Sequence, residues 1–279
     1  MAMVVMLKKS LKQLLAPEEL GQMIGAYELV GDIAVISVSP SLLEKEQLIA
    51  ETLLAAHRQI KVVAKKNGVH AGEFRTRPLQ IIAGENRKET EVREFSIRLF
   101  LNLETVYYSV RSGHERRRIA GLVLPGESVL VLFSGVAPYP LMIAAYARPK
   151  RIVGIEKNLE AHRYGLDNLR RNRCGQQIDL YHGDVGQLPA IVPGRFDRVV
   201  MPLPQTGELF LPAALAALAG NGWLHFYDMQ HKDQTDLSVA KVARACAAAG
   251  KRLLSSTVTR CGHCGPSTFR ICIDARVSA

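Results

Sequence analysis

No apolar run in this sequence approaches the roughly 18 residues that a membrane-spanning helix needs, so no span is expected. The N-terminal apolar patch, MAMVVM, precedes its lysines. A secretory signal carries its charges first, so none is read and a cytoplasmic protein is expected. Cysteine is scarce and odd in number, five in 279 residues. That argues against a disulfide framework and for reduced thiols. Cys261-Gly262-His263-Cys264 is half a zinc site without a second pair, so no metal is expected. There is no internal repeat and no low-complexity segment. Aromatic residues make up only 6% of the chain, but 48% is hydrophobic, an ordinary globular balance. The length suits one large domain or two modest ones.

What the chain does have is positive charge, unevenly spread. Its formal net charge is +10, and the stretch from His57 to Arg118 holds 14 Lys and Arg against 7 Asp and Glu. Such a concentration favours a polyanion, most commonly nucleic acid; the competing expectation is a solvated basic surface. The aromatics there (Phe74, Phe95, Phe100, Tyr107, Tyr108) are too few to suggest a base-stacking platform.

The chain is organised around Val129 to Ala145. Val129 to Phe133 is a continuous apolar run, as in a central strand covered on both faces. Ser134-Gly135 breaks it, and a helix follows from Leu141 to Ala147. Only Gly135 of a Gly-x-Gly-x-x-Gly fingerprint is present, with Ala137 and Pro140 at the other places. A second strand, Arg151 to Ile155, ends at Glu156, about 20 residues beyond the turn, where a carboxylate can accept from two ribose hydroxyls. Strands Ile178 to His182 and Phe196 to Met201 run into Gly183-Asp184 and Pro202-Leu203-Pro204. In a parallel sheet these ends share one rim. The pattern supports a nucleotide-type cofactor; the alternative is a doubly wound domain whose acidic strand ends only cap helices.

Upstream, Leu7 to Leu15 has helical spacing, and Pro17 to Leu20 resembles a helix start. Ala26 to Leu103 reads as a small α+β module. Its parts are a strand at Ile33 to Val38, a helix at Leu42 to His57 with Leu43, Leu48, Leu53 and Leu54 in the core, and strands at Ile60 to Ala64, Leu79 to Gly84, Thr90 to Ile97 and Leu99 to Leu103. Tyr107 to Gly113 is a connector and Glu115 to Leu122 a short helix. Downstream, Asn158 to Arg173 is a helix facing inward through Ala161, Gly165 and Leu169. Leu211 to Ala219 and Ser238 to Ala249 are helices, and Gly222 to Phe226, Lys251 to Thr259 and Thr268 to Arg276 are strands. Residues 1–103 are thus expected as a small α+β domain and 104–279 as a Rossmann-like α/β domain.

Several segments, YELVGDIAVISV, GEFRTRPLQIIAGENR, VYYSVRSGHERRRIA, VLFSGVAPYP, the helix from Glu156 to Asn172, FDRVVMPLP and GWLHFYD, together resemble one family over roughly residues 26 to 276. It is that of the archaeal and eukaryotic tRNA guanine-N1-methyltransferases acting at position 37, with their wyosine-pathway sisters that transfer an aminocarboxypropyl group. The resemblance implies a class I methyltransferase sheet closed by an antiparallel hairpin, S-adenosylmethionine as cofactor and tRNA as partner.

It also implies roles for particular residues. The cofactor would lie against Phe133, Gly135, Val136, Ala137 and Pro138 at its methionine end, Glu156 and Lys157 at the ribose, Asp184 and Val185 at the adenine, and Pro202. Glu115 would be the general base that takes the N1 proton of guanine. Arg75 would offset charge on O6, with Tyr107 beside the target and Arg111, Leu203 and Pro204 holding substrate. Plainer readings stand beside these: Glu115 as a first-turn helix acid, Arg75 as a phosphate or surface contact, Asp184 as a helix cap.

Three features depart from the family's pattern. Pro202 stands where asparagine is usual and offers neither side-chain donor nor backbone N–H. Val131 and Leu132 replace an acidic residue, and Ala137 a glycine. About 25 residues precede the matching region, fewer than the family's tRNA-elbow domain needs. Monomer is the default expectation. The rivals are aminocarboxypropyl transfer from the same cofactor and a non-catalytic RNA-binding accessory protein.

Overall fold

The computed structural model describes residues 11–68, 71–175 and 177–279. It divides into two units, Met1–Arg93 with Arg98–Tyr108, and Glu94–Ile97 with Ser109–Ala279. The helix expected from Leu7 begins on residues 7–10, which lie outside the described residues; Leu11 and Leu15 are buried.

In the first unit α1 (Pro17–Gln22) starts on its proline with Glu18 and Glu19 in the first turn, where acids complement the helix dipole. Strands β1 (Glu28–Val30) and β2 (Ile33–Ile36) form a hairpin. Helix α2 (Glu46–Ala56) crosses over to β3 (Val62–Lys66), which lies parallel to β2, and β4 (Leu79–Gly84) closes the sheet antiparallel to β3. The strand order is β1-β2-β3-β4. Ala34, Ile36, Val63 and Ile82 meet Leu42, Ile49, Ala50 and Leu53 in the core.

The helix expected over Leu42 to His57 is divided: a 3-10 segment spans Pro40–Lys45 and the α-helix begins at Glu46. Three residues per turn in the first part shifts the phase of the apolar stripe. Leu42 is therefore buried and Leu43 is exposed, contrary to the expected core set. Strands β5 (Glu89–Glu94) and β6 (Ile97–Asn102) pair as a separate hairpin.

The second unit begins with α3 (Gly113–Leu122) and then alternates strand and helix. These are β7 (Ser128–Leu132), α4 (Pro138–Tyr146), β8 (Arg151–Glu156), α5 (Leu159–Asn172), β9 (Ile178–His182), α6 (Leu188–Ile191) and β10 (Phe196–Met201). They continue with α7 (Leu211–Ala217), β11 (Leu218–His231), α8 (Thr235–Ala248), β12 (Leu253–His263) and β13 (Thr268–Val277). The sheet order is β12-β13-β11-β10-β7-β8-β9. The five strands from β11 to β9 are parallel neighbours, whereas β13 is antiparallel to both β11 and β12. This is a Rossmann-like sheet closed by an antiparallel hairpin, as expected.

Chain order reverses between β7 and β10, the switch point where open α/β sheets form their ligand crevice. Helix α4 begins at Pro138, three residues earlier than the sequence suggested: two prolines are tolerated in a first turn because its N–H groups are unpartnered anyway. Strand β11 extends five residues past the expected Phe226, held by a ladder with β13 that runs from Gly222–Val277 to His231–Thr268. Among the described residues no helix is long and apolar enough to cross a membrane.

Candidate active site

The C-terminal ends of β10, β7, β8 and β9 are adjacent. This rim brings together the expected cofactor residues. Strand β7 ends at Leu132, and the chain turns through Phe133 (φ 54°), Gly135 (φ 56°) and Ala137 (φ 67°), all left-handed. Non-glycine residues pay for that conformation in strain, so the turn is over-determined by its surroundings. Ser134 N–H donates to the Ile155 carbonyl at 2.9 Å, and Ala137 N–H to the Ser134 carbonyl at 3.0 Å. From α5, the fully buried Asn168 amide donates to the Val136 carbonyl at 3.1 Å. Gly165 of α5 packs against the turn: a Cβ there would be in ordinary contact with the Gly135 carbonyl at 3.5 Å but would crowd Leu180 Cδ1 at 3.0 Å. Val136 and Ala137 are buried, so the turn offers a ligand mainly backbone. The Phe133 ring packs edge-on against Phe210, centroids 5.0 Å apart.

Glu156 sits at the tip of β8. Its carboxylate accepts from Gly135 N–H at 2.8 Å and Asn158 N–H at 2.7 Å, tying the second strand tip to the glycine turn. Burial raises its pKa, with the Asn158 and Gly135 N–H groups opposing. A carboxylate has about four acceptor sites; with the Lys157 N–H also bonded to it, about one is left open. Asp184 caps the short 3-10 turn at Val185–Gln187 by accepting from Gly186 N–H at 2.7 Å, and pairs with Lys157 at 2.7 Å. The Lys157 ammonium, then the Gly186 N–H, hold it below the usual carboxylate range. The helix-cap reading of Asp184 therefore describes its geometry correctly. Val185 is buried beside it. Pro202 and Leu203 are half-buried and Pro204 is buried. Leu203 N–H reaches back to the Met201 carbonyl at 2.8 Å, a tight reversal around Pro202.

Glu115, in the first turn of α3, is 6% exposed. Arg118, one turn later, donates to both its oxygens at 2.7 Å, and the Tyr227 hydroxyl donates to Oε1 at 2.5 Å. Tyr139 in turn donates to Tyr227 at 3.0 Å; burial pushes both phenols up, so both keep their protons. Arg118 also pairs with Asp274 at 2.7 Å, and Asp274 with His225 Nδ1 at 2.5 Å. The far ring nitrogen, Nε2, lies 2.6 Å from the Arg198 guanidinium, which pairs with Glu127 at 2.8 Å.

An arginine only donates, so His225 Nε2 is the acceptor and the ring proton sits on Nδ1, facing Asp274. Burial pushes the His225 pKa down, against the pull of Asp274, and the ring is neutral. Burial alone would raise Asp274, but the donors from His225 and Arg118 outweigh it and hold the carboxyl well below its usual range. Every partner in this chain of groups is thus fixed in direction. Sequence reading missed Tyr139, Tyr227, Arg118, Asp274, His225 and Arg198. The signal was faint: His225 and Tyr227 alternate with buried Leu224 and Phe226 on β11, as Cys272 and Asp274 alternate with Ile271 and Ile273 on β13.

Ligand-type atoms of His225, Cys272 and Asp274 lie within 4.8 Å of one another. Both imidazole nitrogens are already engaged, and burial pushes the Cys272 thiol up so that it stays protonated. In the Cys261-to-Cys264 motif, burial pushes Cys261 up to about 11.

Arg75 and Tyr107 meet within the first unit. Arg75 closes the short hairpin bridged by Ala71 and Thr76, at φ 51°, and its guanidinium stands 4.8 Å over the Tyr107 ring. Arg111 is exposed on the 3-10 segment Val110–Ser112.

The family described as "TRM5/TYW2 methyltransferase domain" matches residues 90–254, and that described as "TYW2 N-terminal domain" matches residues 7–87. The chain is 29% identical over 271 residues to the tRNA (guanine(37)-N(1))-methyltransferase Trm5b of Pyrococcus abyssi, covering 94% of this chain and 78% of that protein. It is 24% identical over 255 residues to the tRNA(Phe) (4-demethylwyosine(37)-C(7)) aminocarboxypropyltransferase of Methanocaldococcus jannaschii, covering 90% and 97%. The crystal structure of wild-type Trm5b from Pyrococcus abyssi superposes with a TM-score of 0.85 at 28% identity, covering 95% of this chain and 79% of that one.

Proposed function

The chain belongs to the TRM5/TYW2 methyltransferase family, and on that premise we propose that it is a cytoplasmic S-adenosylmethionine-dependent tRNA methyltransferase acting on N1 of guanosine 37, next to the anticodon. The cofactor supplies a methyl group on a positively charged sulfur. The rim suits it. Gly135 and the strained turn around it present backbone at close range, Glu156 beside Lys157 has acceptor capacity left for a ribose hydroxyl, and Asp184 and Val185 flank an adenine. Pro202, Leu203 and Pro204 border the base.

The observation that carries the reading is the state of Glu115. Of about four acceptor sites on a carboxylate, two on Oε1 and one on Oε2 are taken by Arg118 and Tyr227. The open one is on Oε2. Guanine N1 carries a proton at neutral pH, and Oε2 accepts it as the base becomes nucleophilic. Tyr227 keeps donating to Oε1 throughout, so the carboxyl does not swing away once protonated. Arg75 is the cation for developing charge on O6, with Tyr107 holding its guanidinium in place, and Arg111 contacts the RNA backbone.

A second reading has its own observation. The match of residues 7–87 to a TYW2 N-terminal domain, together with Pro202 where asparagine is usual, favours aminocarboxypropyl transfer from the same cofactor. One experiment decides. Unmodified tRNA, and separately tRNA carrying 4-demethylwyosine at position 37, is incubated with S-adenosylmethionine and the nucleosides are weighed. Methyl transfer adds about 14 Da and the larger group about 101 Da. The first is expected on guanosine 37 of the unmodified RNA; the second, on the 4-demethylwyosine RNA, assigns the alternative, and no mass added to either RNA overturns both.

A further inference from the structure

Six described non-glycine residues have positive φ, and five are accounted for. Arg173 is the C-cap of α5, and Asn221 is of a type that tolerates the conformation. Arg75, Phe133 and Ala137 belong to the candidate site. Phe95 remains. It stands at the tip of the β5–β6 hairpin at φ 53°, a conformation suited to glycine, and is 43% exposed. A large aromatic residue is an unusual choice for such a position, and much of its ring is left open to solvent.

The tip around it is firmly held. Glu94, the residue before, forms a buried ion pair with Arg116 of α3. Gly113 packs on that carboxylate so closely that a Cβ would sit 3.2 Å from it. The Phe95 ring is edge-on to His114, centroids 5.4 Å apart, and to Tyr146 at the end of α4, 6.5 Å apart. Arg117 lies 3.8 Å over the Tyr146 ring. His114 is exposed, and Tyr146 is 36% exposed. Three rings and a guanidinium therefore form one open cluster, built by residues far apart in sequence.

We infer that Phe95, His114, Tyr146 and Arg117 form a stacking platform for an unpaired nucleobase of the RNA substrate, outside the modified nucleotide. The inference rests on the tRNA reading above. Nucleobases fit because every base has a π-face that an aromatic ring or guanidinium can cover, whatever the sequence. The charge agrees: Arg111 is exposed just upstream, in the stretch that holds most of the excess positive charge.

The test is affinity for a labelled anticodon stem-loop RNA, read by fluorescence anisotropy without cofactor. Phe95→Gly is expected to weaken binding roughly tenfold while its melting temperature stays at or above that of the unaltered protein, because glycine relieves the backbone. Phe95→Trp is expected to restore affinity. The proposal is overturned if Phe95→Gly binds within twofold of the unaltered protein, if its melting temperature falls instead, or if the cluster proves to hold a second copy, seen as a dimer that Phe95→Gly dissociates in sedimentation. If the unaltered protein itself binds no RNA, the tRNA reading falls too. Intact binding with unaffected variants removes only the platform.

Discussion

Two regions of the second unit hold carboxylates in opposite ways. At the rim, Glu156 and Asp184 are fixed largely by backbone N–H groups, two residues on in each case and, for Glu156, also from Gly135 at the neighbouring strand tip. Beneath α3, Glu115 is fixed by side chains from a helix and from β11, with further support from β13, more than a hundred residues along the chain. The rim is half-open and its shape comes from small residues and left-handed backbone. The Glu115 region is closed and its shape comes from alternating charges. A rim of the first kind admits a ligand whose polar atoms vary in position. A network of the second kind sets one oxygen of one residue, which is what the proton acceptor proposed above requires.

The largest effect should come from removing that acceptor. Glu115→Gln keeps the size and part of the hydrogen bonding but cannot take a proton. Turnover is expected to fall about 10²- to 10⁴-fold, with cofactor binding by calorimetry unchanged. Retained turnover would break the contrast, since the closed region would then be structural only.

Asp274→Asn tests the same region through stability. Asp274 touches both Arg118 and His225, so loss of its charge leaves both underpaired; about 3 kcal/mol of destabilisation is expected at pH 7. Its pKa in the folded protein lies below that in the unfolded chain. Its contribution is therefore present above about pH 4 and lost as pH falls below it. The gap between variant and unaltered protein in urea melts should narrow below pH 4. A gap independent of pH would mean that packing, not charge, is at stake.

The smallest effect belongs to the rim. Lys157 and Asp184 are 43% and 34% exposed, and exposed pairs contribute under about 1 kcal/mol. Lys157→Ala should leave the melting temperature nearly unchanged. A large drop would erase the distinction between the two regions.

The same contrast explains what was legible in the sequence. The rim is local. An apolar run, Ser134-Gly135, and an acid at the next strand tip follow one another within about 30 residues, so strands β7 to β10 and Glu156 could be read directly. Glu115 could be singled out only through the resemblance. Its partners are polar residues inside strands that otherwise read as apolar, and only the sheet pairing of β11 with β13 brings His225 opposite Asp274. Phe95 was read as a sparse aromatic because nothing in the sequence says that Tyr146 will stand beside it. Leu43 misled for a different reason: the chain entered its helix through a 3-10 segment, which periodicity at 3.6 residues cannot register.

The long ladder between β11 and β13 sets an order of opening. These two strands share ten paired positions, from Gly222 with Val277 to His231 with Thr268, and β12 covers the outer edge of β13. At the opposite edge β9 pairs with one neighbour over five positions. Amide exchange should therefore be fastest in β9 and slowest in β11 and β13. Fluctuations that loosen the β9 side of the crevice can come and go while Tyr227 and Asp274 stay locked. On the proposed function, the cofactor could exchange without the Glu115 network having to reassemble each time.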